Sequence, residues 1–128
     1  MMGNLPIFLS GLLVGVILFQ TAVIAPTVFR SLEPDQAGLF LRKVFPKFFV
    51  VLAVLGIIGV IVALFGDTTN KLWNCLITFI LATAAYLLIP MTNKSRDEGN
   101  EKLFKKLHKA SVSMTVLILI VNLSGLVL

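Results

Sequence analysis

His108 is the only histidine in this chain and Cys75 the only cysteine, so chemistry that needs several soft ligands is not available from one copy. A single imidazole can hydrogen-bond a substrate, sense pH or ligate a haem iron, with Met91 or Met114 as the second axial ligand. A hydrogen-bonded histidine at a helix entrance is the simpler expectation, and neither zinc nor any resident cofactor is expected. Cys75 has no partner for an intrachain disulfide. Arg96, Asp97 and Glu98 are consecutive, a group that can organise a turn or bind a polar solute. No nucleophile, base and metal set falls into a pattern, and the expectation is that the chain is not an enzyme.

The surroundings of these residues explain the scarcity. Four stretches, Met1 to Phe29, Phe48 to Gly66, Leu72 to Asn93 and Ala110 to Leu128, contain no Asp, Glu, Lys or Arg. At about 1.5 Å of rise per residue, about 20 helical residues cross a hydrocarbon core of about 30 Å. With 58% apolar and 13% charged residues, a soluble domain of this size could not cover its apolar surface. The reading is an all-α, integral membrane four-helix bundle forming one domain over residues 1–128, with spans near 5–25, 48–66, 72–90 and 110–128. The first span is expected to be retained rather than cleaved, since no basic residue precedes it and no small-residue cleavage site comes before Pro26.

Within the spans, ionisable side chains are limited to Cys75 and Tyr86, which removes the markers of proton relays and gating charges. Gln20 and Asn122 are the polar residues to watch, because an amide left unpaired in hydrocarbon is costly. Gly11 and Gly15 form a GxxxG pair, and Gly59 with Ala63 a small-xxx-small pair, both expected to let helices approach within the bundle rather than to make a homodimer seam.

Ten of the eleven basic residues fall in two connections, Arg30 to Lys47 and Lys94 to Lys109, while the middle connection holds only Asp67 and Lys71. The positive-inside bias puts the two basic connections in the cytoplasm and both termini outside, with Trp73 as an outer interfacial anchor. Apolar positions recur at helical spacing in both connections, predicting short amphipathic helices against anionic headgroups, one after Pro34 and running into the second span at Pro46. Ser95 and Glu98 match a capping box, and Gly99-Asn100 a turn. Despite a net charge of +5, this placement argues against nucleic acid as a partner. At an offset of 64 residues Pro26 meets Pro90, Ser31 meets Ser95 and Phe40 meets Phe104, the pattern of a two-fold internal parallel repeat or of shared helix-exit chemistry.

Pro26, Phe29, Gly38 and Phe45-Pro46 in the first half, with Asn93, Arg96-Asp97, Phe104, Leu107-His108 and Ser111 in the second, resemble the transmembrane protein 205-like family and related bacterial domains of unknown function. Glu98 stands where that pattern has a small residue before glycine. The resemblance implies four transmembrane helices and brings no catalytic residues. Three function classes follow: a structural, partner-binding or lipid-interacting membrane component, which leads; a small-solute carrier, which requires Gln20, Asn122 and Thr78 to converge on a cavity; and a haem or redox protein built on His108. A bacterial inner membrane is the expected location, with a homodimer or another membrane protein as candidate partner.

Overall fold

A computed structural model describes residues 4–66 and 69–127; Asp67 and both chain ends lie outside the described residues. Every described element is helical, and four helical segments are long and apolar enough to cross a membrane. The first consists of α1 (Leu5–Leu18), a π-helical segment (Phe19–Ile24) and α2 (Ala25–Ser31), and α3 (Pro34–Phe65), α4 (Thr69–Asp97) and α5 (Glu101–Val127) follow. All four therefore exceed the spans read from the apolar runs, and all the excess except the first residues of α4 lies at the basic end.

Pro26 explains the π segment. It has no N–H to donate and its ring would strike the carbonyl of Ala22, so the preceding turn widens, and Ala25 N–H donates to Gln20 O, five residues back. Pro46 and Pro90 lie inside α3 and α4 without ending either helix, as neighbouring helices commonly allow in membrane segments. The amphipathic segment beginning at Pro34 is thus not a separate connecting helix. It is the start of a 32-residue α3 that would measure about 48 Å, leaving about a dozen residues beyond the hydrocarbon. Only Leu32 and Glu33 separate α2 from α3, and their extended backbone makes a tight corner closed by Leu32 N–H to Val28 O and Ala37 N–H to Glu33 O.

The second basic connection departs from expectation in the same way. Its basic residues lie on the end of α4 and the start of α5, and the turn between them is a Schellman motif: Gly99 has φ +74°, Gly99 N–H donates to Arg96 O and Asn100 N–H to Ser95 O. The capping box at Ser95 does not form. Ser95 is buried inside α4 and its hydroxyl donates to Thr92 O, while Asn100 Oδ1 accepts from Leu103 N–H and so caps α5.

α3 packs along α4, α4 along α5, and α5 along α1, with a lighter contact between α1 and α3. The core is filled by Leu13, Ile17, Phe48, Phe49, Leu52 and Ile118, with the small Ala82 and Ala85 completely enclosed. Gly56 and Gly59 on α3 face α4 and Ala63 is buried, so the small-residue pair acts inside the chain. The GxxxG pair is split: a Cβ at Gly11 would touch Leu126 at 3.8 Å, whereas one at Gly15 would meet open space. At the end away from the basic residues, Lys71 Nζ donates to Gly125 O, a cation on the C-terminal carbonyls of α5.

Candidate functional site

The polar groups of the chain concentrate where α4 ends. One face of the α4 terminus presents Asp97 to α3, and there Arg42 clasps it with both guanidinium arms, Nη2 to Oδ1 at 2.5 Å and Nη1 to Oδ2 at 3.2 Å. Arg42 Nη2 also lies 3.4 Å from Asn93 O, so a single arginine ties α3 to the last turn of α4. Arg96 reaches between α3 and α5. Its guanidinium lies 5.3 Å above the Phe104 ring, and Gly38 on α3 leaves room for it, since a Cβ there would sit 3.6 Å from Arg96 Nη2. The His108 ring stacks on Phe104 with centroids 5.8 Å apart and planes 12° apart. Residues from three helices therefore form one linked cluster, from Arg42 through Asp97 and Arg96 to Phe104 and His108.

Arg42 and Asp97 stabilise each other's charged forms. Hydrogen bonding to Arg42 is the main reason that the Asp97 carboxyl is held below its ordinary range, with the charges of Arg42 and Arg96 adding to it, and the same bond raises the Arg42 guanidinium further. Because the folded Asp97 value is depressed, the pairing contributes stability above the usual carboxylate range and loses it as pH falls through the lowered value. A carboxyl-carbon NMR titration is expected to show Asp97 titrating below an ordinary aspartate, and Arg42→Ala to return it upward. An unchanged midpoint in that variant would show that the clasp does not form.

The structure joins some of the anticipated residues and leaves others apart. Asn93, Arg96, Asp97 and His108 belong to the cluster, Asn93 through its carbonyl alone. Ser111 is half-buried one turn farther along α5, where its carbonyl accepts the Thr115 hydroxyl. Pro26 shapes the π segment, and Phe29 is exposed on α2. Gln20, Asn122 and Thr78 do not converge. Asn122 Nδ2 donates to Thr78 Oγ1 at 2.9 Å and to Ile118 O at 2.8 Å between α4 and α5, while Gln20 lines a groove between the first segment and α3. Arg42 had no signal beyond its charge, because its partner is 55 residues away.

Residues 8–127 match the family model described as "Domain of unknown function (DUF4149)". The chain belongs to the DUF4149 family. A relative, an uncharacterized protein from Aquifex aeolicus (strain VF5), is 35% identical over 109 residues, covering 82% of this chain and 79% of the relative. No solved structure matches the chain. The bacterial side of the sequence resemblance is thus upheld, whereas the match is to DUF4149 and not to the transmembrane protein 205-like family. Because the DUF4149 match runs from α1 to α5, it takes in the whole polar cluster as well as the apolar spans.

Proposed function

We propose that this DUF4149 protein is a non-enzymatic, lipid-interacting component of a bacterial inner membrane, a four-helix bundle with its termini outside and its basic end fixed on anionic headgroups of the cytoplasmic leaflet. The observation that carries this reading is the cluster at the end of α4. Arg42–Asp97 and Arg96–Phe104 tie the protruding starts of α3 and α5 to one another, so Lys102, Lys105, Lys106 and Lys109 sit on a braced helix with their side chains exposed. A braced array avoids part of the ordering cost of binding a charged surface, and each basic residue near an anionic leaflet contributes about 1 kcal/mol. The exposed apolar side chains along the spans, such as Phe8, Ile61, Leu64, Ile80 and Ile120, suit lipid contact.

The carrier reading lacks the polar convergence it requires. The parallel repeat also has less support than its helix boundaries suggest: the 64-residue offset carries Arg42–Asp97 onto Lys106–Glu33, and among the described residues only the first pair forms. The π segment before Pro26 likewise has no counterpart before Pro90.

The test is a variant with Lys102, Lys105, Lys106 and Lys109 replaced by glutamine. Reconstituted in mixed bilayers, the wild type is expected to enrich phosphatidylglycerol over phosphatidylethanolamine around itself and the variant to lose that enrichment, while labelled termini report orientation by their accessibility. Equal enrichment in both proteins, or termini protected on the outside of intact cells, would overturn the reading.

A further inference from the structure

A groove of about 480 Å³ opens sideways between the first helical segment and the basic half of α3. It lies within the range of small-ligand sites and its walls are almost wholly apolar. Gly15 leaves it open, since a Cβ at that position would meet nothing within 4 Å. The π segment places Phe19, Gln20 and Ile24 along it, and π turns of this kind recur at functional sites. Gln20 is 4% exposed, and its Nε2 has no hydrogen-bond partner. In hydrocarbon such a donor calls for an acceptor. Lys47, with its side chain exposed, supplies the only charge on the groove lining.

We infer that this groove holds one acyl chain of an anionic phospholipid from the leaflet at the basic end, its phosphate at Lys47 and an ester carbonyl accepting from Gln20 Nε2 once that side chain, whose Nε2 is buried behind the lining, turns to the groove; this rests on the reading that the basic end lies among headgroups. The groups on the lining select the ligand. A cation, a neutral donor and an apolar trough match the phosphate, ester and chain of one phospholipid. A free fatty acid offers one acceptor group for the two donors. The wide π turn has a purpose on this account, because it carries an amide to the wall without requiring another helix to satisfy it.

The experiment uses the full chain in nanodiscs of phosphatidylethanolamine with a minor share of phosphatidylglycerol, released into mild detergent for native mass spectrometry. Wild type is expected to carry one phosphatidylglycerol. Gly15→Leu, which fills the trough, is expected to lower occupancy by about tenfold or more. Gln20→Leu is expected to abolish the preference of wild type for diester over diether phosphatidylglycerol. Helical content by circular dichroism checks that each variant folds, and the Gln20 variant keeps the test intact if the Gly15 variant does not. Wild type without bound lipid, undiminished occupancy in Gly15→Leu, an unchanged ester preference in Gln20→Leu or a protein dimer in place of the lipid would each overturn the inference. The four-lysine variant separates the two readings: it is expected to lose bulk anionic enrichment but to keep the groove lipid.

Discussion

Gly56→Leu is expected to leave no folded protein. A Cβ at Gly56 would stand 3.0 Å from the backbone N and 3.1 Å from the Cα of Phe79, and 3.3 Å from the Cys75 carbonyl oxygen. These are main-chain atoms of α4, which cannot swing aside as a side chain can. Room can be made only by separating α3 from α4 along the closest of the helix contacts. Even Gly56→Ala adds a methyl against that backbone, and its cost is expected at about 1–3 kcal/mol. Gly15→Ala is the matched control, because it adds the same atom to open space. Thermal unfolding in detergent, followed by circular dichroism, should rank them in the order wild type, Gly15→Ala, Gly56→Ala, with Gly56→Leu aggregated. A Gly56→Leu protein that elutes and melts as wild type would mean that α3 and α4 are not packed backbone to backbone.

The next largest effect is expected from Asn122→Asp. Asn122 is 1% exposed, and its amide nitrogen donates both to Ile118 O and to Thr78 Oγ1. A carboxylate oxygen in its place would face two acceptors, since the Thr78 hydroxyl already donates to Asn74 O. It would also carry a charge into a membrane helix, a change that costs about 2.5–3.5 kcal/mol near the centre of a span. Asn122→Leu removes the same bonds but adds no charge, and leaves Thr78 bonded to Asn74. Interhelical hydrogen bonds of this type are worth about 0.6 kcal/mol on average, with a maximum of about 1.7. Denaturant unfolding of the two variants in mixed micelles should separate them by at least about 1 kcal/mol, with the aspartate variant the weaker. Equal stability would place Asn122 in contact with water or lipid headgroups.

The spans were legible because one physical quantity decides them: a run of about 20 residues without charge can lie across a bilayer, and each of the four runs holds a helix. The ends were less legible, since helix propensity and tertiary support continue beyond the apolar boundary. Pro34 and Asn100 start helices that then run unbroken into the spans. Arg96, Asp97 and His108 were found as chemically unusual residues, yet the arrangement of Asp97 depends on Arg42 from a distant helix and that of Arg96 and His108 on the Phe104 ring. Ser95 shows the limit of local rules. Its spacing from Glu98 suits a capping box, but α4 continues past it to a glycine with positive φ. Gly56 gave no pairwise motif, because Leu52 and Val60 stand four residues to either side of it, and its contact with the main chain of Phe79 comes from another helix.

The meeting of α1 and α5 has a consequence for how the molecule is made. Gly125 lies against Ser10 and Asn74, each about 3.1 Å from where its Cβ would be, so first, third and fourth spans come together at a point contributed by the last turn of α5. α3 and α4, by contrast, are joined by a short connection and can pair as soon as both have emerged. Local pairings form early and distant ones late, because closing a long stretch of chain costs entropy before any contact repays it. During synthesis α1, already folded back on α3 by the two-residue corner, must therefore wait with Ser10 uncovered until almost the whole chain has left the ribosome. That interval, more than the finished structure, is when its α5-facing side is open to a wrong neighbour.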